Sequence, residues 1–240
     1  MNTDDKKIVN KPETEIDQKP LTIEHIESRN HHTPEERLTE IEKEFKNGFD
    51  FIKKYQKSVS FYGSARFKED SVHYQQARDI AFRIVKELNC AIVTGGGPGI
   101  MEAGNRGARE AGGDSLGFTI TLPHEQVSNP YTTDSIEFYY FFIRKVMLSF
   151  AAEAYLFFPG GFGTLDEFFE IATLVQTNKV PKLPIILVGK DFWEPIRGVI
   201  RQNLYKDHQA IDESDMDLFT ITEDVDQIVE IIKKAPMRKN

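Results

Sequence analysis

Glycine fills three of the four positions from 160 to 163 in the run Pro159-Gly160-Gly161-Phe162-Gly163-Thr164-Leu165-Asp166-Glu167. With no Cβ in the way, such a turn lets a ligand come close to the backbone. An apolar run, Ala154-Tyr155-Leu156-Phe157-Phe158, leads into it, and a helical pattern from Leu165 to about Thr177 follows. Strand, glycine turn and helix in that order aim unpaired N–H groups and the positive end of a helix dipole at one spot. That spot suits an anion, most simply a single phosphate held by Gly160, Gly161, Gly163, the Thr164 hydroxyl and Ser64. Glu167 adds a carboxylate one turn into the helix, within reach of whatever the phosphate carries. Spacing alone leaves a second role open for it. Thr164-x-x-Glu167 has the form of a capping box, in which the glutamate only satisfies an N–H at the helix start.

Arg144 and Lys145 are adjacent cations inside an apolar stretch, between Phe138-Tyr139-Tyr140-Phe141-Phe142-Ile143 and Val146-Met147-Leu148. A helix apolar all round is expected to be largely buried, and a buried arginine needs an anionic partner. Either Arg144 enters the cleft beside Glu167, or it pairs internally with Glu153 or Glu170. Asp166 and Glu170 otherwise fit helix-start or surface carboxylates. Two more glycine turns follow apolar strands: Gly63-Ser64-Ala65-Arg66 and Gly95-Gly96-Gly97-Pro98-Gly99. Behind the second, Glu102, Asn105 and Arg106 face either a ligand or solvent. Familiar phosphate fingerprints fail in detail. A dinucleotide loop would want glycine where Ile100 and Glu102 stand, and neither Gly99-Ile100 nor Gly163-Thr164 supplies the lysine of an ATP-binding loop. His73, His124 and His208 are scattered and His31-His32 lies near the start of the chain, so no metal is expected, and no cofactor.

The elements that must position these residues can be read along the chain. Residues 1–32 are polar and aperiodic, a mobile tail. Thr33, Pro34 and Glu36 then open a helix, residues 33–57 forming an N-terminal extension with Leu38, Ile41, Phe45, Phe49 and Ile52 as its apolar stripe and Gly48 as a weak point. Strands are expected at Ser58–Tyr62, Cys90–Thr94, Ser115–Ile120, Ala154–Phe158 and Pro184–Val188, with an edge strand at Phe219–Thr222. Helices are expected at about Ser71–Leu88, Ile100–Ala111, Leu165–Asn178, Trp193–Leu204 and Asp224–Lys233. A loop carries Leu122-Pro123-His124-Glu125-Gln126 and Asn129-Pro130-Tyr131, and an aromatic segment from Ile136 to Phe142 passes into a helix ending near Ala152. Strands alternating with helices, each strand a continuous apolar run, imply an α/β fold: a Rossmann-like doubly wound parallel sheet in three α/β/α layers, spanning 58–240. In such sheets ligands bind at the carboxyl ends of the strands, where all three glycine turns fall.

Composition narrows the function classes. With 240 residues and 40% apolar side chains the chain can bury one large core. A formal charge of −8 argues against nucleic acid as a partner, so an anionic ligand must be held by local donors. No apolar run approaches a membrane span, the start is unlike a signal peptide, and the lone Cys90 heads an apolar strand as an inert thiol, which fits a cytoplasmic protein. The aromatic run Phe138–Phe142 is a reasonable interface.

These motifs resemble one family. Pro159 to Glu167 is similar to the PGGxGTxxE signature of the Lonely Guy (LOG) proteins. Gly95-Gly96-Gly97-Pro98-Gly99-Ile100-Met101-Glu102 resembles their first glycine motif, Arg144-Lys145 their Arg-Lys pair, and Phe61-Tyr62-Gly63-Ser64-Ala65-Arg66 their first strand end. The resemblance covers about Ser58 to Trp193. It implies a phosphoribohydrolase that cleaves the N-glycosidic bond of a nucleoside 5′-monophosphate, AMP or a cytokinin riboside monophosphate, to free base and ribose 5-phosphate. It also implies that Arg144 and Glu167 are the catalytic pair and that Gly63, Ser64, Gly95, Gly96, Gly97, Met101, Lys145, Gly160, Gly161, Gly163 and Thr164 bind substrate. The N-terminal helix and the form of the second glycine turn look like a longer bacterial group, for which a homo-oligomer, a dimer or an assembly of dimers, is implied. The competing class is a non-catalytic carrier of a nucleotide or phosphorylated cofactor, like the molybdenum-cofactor carriers. The "lysine decarboxylase" label attached to such sequences would need a pyridoxal-binding lysine that nothing beyond Lys145 suggests.

Overall fold

Strands buried along their whole length must lie inside a sheet covered on both faces. In the computed structural model, which describes residues 33–121 and 128–236, four such strands form the centre. They are β1 (Ser58–Tyr62), β2 (Ala91–Thr94), β5 (Ala154–Phe157) and β6 (Ile185–Leu187). With β3 (Ser115–Ile120), β4 (Asp134–Phe138) and β7 (Thr220–Ile221) they make a parallel sheet ordered β4-β3-β2-β1-β5-β6-β7. The tail at 1–32 and the Leu122–Gln126 part of the loop fall outside the described residues.

Helices cover both faces, giving three layers. On one face α2 (Val72–Leu88), α3 (Ile100–Glu110) and α7 (Val225–Lys233) bury Tyr74, Ile80, Ile84, Ala103 and Ile228. On the other, α1 (Pro34–Ile52), α4 (Phe141–Phe150), α5 (Phe162–Gln176) and α6 (Lys190–Val199) bury Phe51, Ile143, Met147, Phe168 and Trp193. Beyond α6 the chain winds on in wider π-type turns to Asp207. The strand order reverses beside β1, with β2 on one side and β5 on the other, so the crevice that binds ligands in such folds opens between the ends of β1 and β5.

Several expectations are corrected. Residues 136–138 belong to β4, an edge strand whose alternating burial the aromatic run disguises. Helix α4 is not buried all round: Ile143, Met147 and Leu148 face inward, while Phe141, Phe142 and Phe150 are 56, 49 and 47% exposed. Gly48 is no weak point. A Cβ there would lie 2.8 Å from Met147 Cγ, so its absence lets α1 settle onto α4. The Thr33 capping box does form, with Glu36 Oε2 accepting from Thr33 N–H at 2.8 Å and Thr33 Oγ1 from Glu36 N–H at 3.3 Å. Glu44 of α1 accepts from the Tyr139 and Tyr140 N–H groups at 3.1 and 3.2 Å, which ties the extension to the entry of α4.

Gly107 sets the approach of α3 to α2, because a Cβ there would strike the Arg78 carbonyl and sit 3.0 Å from Ala81 Cβ. Gly107→Ala is expected to destabilise the fold by about 1–3 kcal/mol through overpacking, read as a lower denaturant midpoint at unchanged m value. An unchanged midpoint would mean that the two helices part freely.

Candidate functional site

The three glycine turns are joined directly. Ser64 N–H donates to the Pro159 carbonyl and Ile100 N–H to the Ser64 carbonyl, each at 3.0 Å. Two of the glycines make that approach possible. A Cβ on Gly63 would lie 2.7 Å from the Ile100 side chain, and Gly99, at φ +70°, would drive one into the Ser64 carbonyl. Gly160 is filled from the other side, by the buried Thr164 hydroxyl. Gly161 and Gly163 differ from these: a Cβ at either would meet nothing within 4 Å. The open side of the turn therefore lies at these two positions, in front of the first N–H groups of α5.

Helix α5 begins at Phe162, earlier than the expected Leu165, with Gly161 as N-cap and Leu165 N–H bonded to the Gly161 carbonyl at 3.1 Å. Thr164 thus lies inside the helix and cannot cap it, which removes the capping-box role from Glu167. No side chain caps α5 among the described residues, so its leading N–H groups face the open turn. Glu167 sits on the next turn, half-buried, and no hydrogen bond or ion pair engages its carboxylate among the described residues.

Arg144 and Lys145 diverge. The Arg144 Nε donates to the Phe118 carbonyl at 2.7 Å and an Nη reaches the Gly95 carbonyl at 3.5 Å. A Cβ at Gly95 would collide with that guanidinium and lie 2.8 Å from Met101 Sδ, so Gly95, Met101 and Arg144 meet at one point. The internal pair of Arg144 with Glu153 or Glu170 does not form; the buried Glu153 carboxylate accepts from Ser58 N–H at 2.6 Å. Lys145 takes the other direction, pairing with Asp166 at 2.7 Å and Glu170 at 3.1 Å. Its ammonium is engaged there rather than at the open turn. Burial weighs against the Lys145 charge, but the hydrogen bonds to Asp166 and Glu170 outweigh it and raise the pKa.

Burial pushes the Glu167 pKa up to about 7, with Arg144 and Lys145 pulling it down and Asp166 and Glu170 adding to the rise. Burial likewise lowers the Arg144 pKa, while the nearby Glu167 and Tyr62 favour its charge. The guanidinium remains a cation throughout the working range. Tyr62 is a site neighbour that the sequence reading did not single out. It is the last residue of β1, buried, its ring stacked on Phe157 with centroids 4.6 Å apart, and burial followed by the charge of Glu167 holds its phenol protonated. Its place immediately before a glycine turn was the available signal.

The remaining candidates are engaged by other protein groups. Glu102 accepts from the Tyr74 hydroxyl at 2.9 Å, and Arg106 pairs with Glu69 at 2.7 Å and Glu110 at 3.0 Å. Asn105 meets neither ligand space nor solvent; it is wholly buried. Ser64 Oγ accepts from Arg66 N–H at 3.1 Å, and the Gly97 carbonyl accepts from Asn129 Nδ2 at 3.0 Å. Cys90 is buried and its thiol pushed up to about 11 by desolvation. No helix among the described residues is long and apolar enough to cross a membrane.

The family model described as "Possible lysine decarboxylase" matches residues 101–232. The cytokinin riboside 5′-monophosphate phosphoribohydrolase LOG5 of Arabidopsis thaliana is 26% identical over 139 residues, 58% of this chain and 60% of that relative. The match thus spans less than two thirds of the relative's length. The X-ray structure of TM1055 is similar over 74% of this chain and 99% of its own, with a TM-score of 0.55 and 25% identity. The molybdenum cofactor binding protein of Rippkaea orientalis is similar in fold over 74% of this chain and 96% of its own, with a TM-score of 0.54 and 16% identity.

Folding raises the Glu167 pKa from 4.5 to about 7. The contribution of the protonated carboxyl to stability is therefore full below pH 4.5 and lost as pH rises through 7. Glu167→Gln, neutral at every pH, is expected to melt with the parent at about pH 5 and above it, by about 2 °C or more, at about pH 8. Equal Tm differences at both pH values would place the carboxylate in ordinary solvent.

Proposed function

This chain belongs to the Lonely Guy family, whose model carries the description "Possible lysine decarboxylase", and from that premise we propose that it hydrolyses the N-glycosidic bond of a purine nucleoside 5′-monophosphate. AMP or a cytokinin riboside monophosphate is the substrate, and free base and ribose 5-phosphate are the products. One observation carries the reading: an unpaired carboxylate titrating near neutrality stands one helical turn from an open, uncapped anion turn and is coupled to a fixed arginine.

In this reading the 5′-phosphate lies against Gly160, Gly161, Gly163 and Thr164, with Gly63 and Ser64 closing the turn beside it. The ribose then extends along α5 to Glu167. As the C1′–N bond lengthens, positive charge grows on the sugar, and the ionised Glu167 stabilises it while orienting a water molecule toward C1′. The water oxygen bonds to C1′, the C1′–N electron pair leaves with the base, and the proton that water loses balances the one the base gains. Arg144 favours the ionised form of Glu167 and faces the departing base with Gly95, Gly96, Gly97 and Met101. Lys145 acts from behind, by pairing with Asp166 and Glu170 and offsetting one of their two charges.

Amino-acid decarboxylation is the poorer reading. A Schiff-base lysine works with a depressed pKa, whereas Lys145 is held charged by two carboxylates. A non-catalytic carrier is the second reading, since the open turn would serve binding alone. Against it, a carboxylate beside an anion site weakens binding, and a carrier gains nothing from Glu167. Phe141, Phe142 and Phe150, with Phe162 at 94% exposure, leave an aromatic surface around α4 and the mouth of the site. Burying it in a homo-oligomer removes that surface from water. A buried reduced thiol and a nucleotide substrate fit the cytoplasm.

Product analysis with AMP tests the reading. The parent is expected to release adenine and ribose 5-phosphate, Glu167→Gln to lower kcat by about 10²–10⁴-fold, and Gly163→Ala to raise KM while melting as the parent does. Absence of base release from the parent, with AMP still raising its Tm, would favour the carrier. For the oligomer, Phe142→Asp is expected to lower the sedimenting mass; a parent that sediments as a monomer rejects it.

A further inference from the structure

Behind the Gly95–Gly97 turn lies a set of polar side chains shut off from solvent: Thr94, Asn105 and Ser115 at 0% exposure and Asn129 at 5%. Thr94 Oγ1 donates to Asn105 Oδ1 at 2.6 Å and accepts from Gly96 N–H at 2.9 Å. Asn105 Nδ2 donates to Ser115 Oγ at 2.9 Å, and Ser115 Oγ donates to the Asn105 carbonyl at 3.0 Å. Asn129 bridges the set to the turn. Its Nδ2 donates to Asn105 Oδ1 at 2.9 Å and to the Gly97 carbonyl at 3.0 Å, and its own N–H donates to the Gly96 carbonyl at 2.9 Å. An apolar core of the same shape could be as stable as such a network. What a satisfied network adds is a single geometry.

That geometry ends at Arg144. Gly96 is held at φ +74°, which fixes the direction of the adjacent Gly95 carbonyl, the acceptor of the Arg144 Nη. The bare Cα of Gly95 also forms the surface against which the guanidinium lies. We propose that Asn129 is a positioning residue for Arg144: through the Gly95–Gly97 turn it sets the distance between the guanidinium and Glu167. This rests on the reading of Arg144 and Glu167 as the working pair. Its loss lets the turn relax and the cation retreat. Other charges facing Glu167 stay in place, because Lys145 of α4 is pinned by Asp166 and Glu170 of α5, and Tyr62 of β1 is fixed by its stack on Phe157.

The test follows the Glu167 carboxyl itself, by ¹³C NMR titration of glutamate-labelled full-length protein, with the resonance assigned from its absence in Glu167→Gln. In the parent it is expected to titrate near 7. Asn129→Ala should move the midpoint up by about half a unit or more, since a more distant cation disfavours the carboxylate. Thr94→Val, which removes the acceptor of the Gly96 N–H from a different element, should move it the same way and serves if Asn129→Ala does not fold. Ile228→Ala, which opens a cavity under α7 away from the turn, is the control that lowers Tm, and should leave the midpoint alone. If the Asn129 or Thr94 variant melts lower but titrates as the parent does, the residue is merely structural and the proposal is overturned. The readout needs no turnover. A shifted midpoint in a protein that does not cleave AMP would sink the hydrolase reading and leave this one standing; an unshifted midpoint in an active enzyme would do the reverse.

Discussion

Two backbone hydrogen bonds hold the site together: Ser64 N–H to the Pro159 carbonyl and Ile100 N–H to the Ser64 carbonyl. The segments following β2, β1 and β5 are thereby joined side by side at the reversal of strand order. The parallel register brings Tyr62 level with Phe157, so the turns leave the sheet at one height. Neither bond could form with a side chain at 63 or 99, where a Cβ would meet Ile100 or the Ser64 carbonyl. The end of the cleft proposed to take the anion is therefore made almost wholly of backbone, fixed by the sheet beneath it. Ligand donors organised in this way need no rearrangement when charge arrives.

The other end of the cleft depends on where Arg144 is not. Had its guanidinium closed onto Glu167, the pair would be a common ion pair, with a carboxylate pKa held well down. Instead the guanidinium hangs from the Phe118 and Gly95 carbonyls, near enough to moderate the effect of burial and too far to cancel it. The result is a carboxyl group that titrates close to neutrality, available both as an acid and as a base. Lys145, one residue along the same helix, points elsewhere because successive helical residues diverge by about 100°.

Much of this was legible in the sequence. Continuous apolar runs located β1, β2, β3, β5 and β6, and the glycine turns after β1, β2 and β5 fell on the edge where the structure joins them. What escaped has physical reasons. β4 borders the sheet with one side open, so its residues alternate, and the neighbouring aromatics masked that alternation. The start of α5 was set too late because Gly161, Phe162 and Gly163 are poor helix formers, and tertiary packing overrode their propensity. That three-residue difference decided the standing of Glu167, which spacing alone could not separate from a cap. Asn105 and Asn129 were invisible as a pair, since only the fold brings residues from α3 and the loop after β3 to the same turn.

An overall charge of −8 makes the proposed anion site a local exception in this chain. The difficulty is sharpest on α5, where Asp166, Glu167 and Glu170 follow the very turn proposed to face the anion. Three ionised carboxylates there would oppose the helix dipole and repel a phosphate. Two share one cation, Lys145, which reaches both from α4 and offsets one of their two charges. The third is held near its titration point by burial, so at neutral pH it carries only part of its charge. The Arg-Lys pair thus divides the electrostatic work across a single peptide bond. In the proposed reading Lys145 weakens the field that would exclude the ligand, and Arg144 moderates the effect of burial on the one carboxylate left free to act on it.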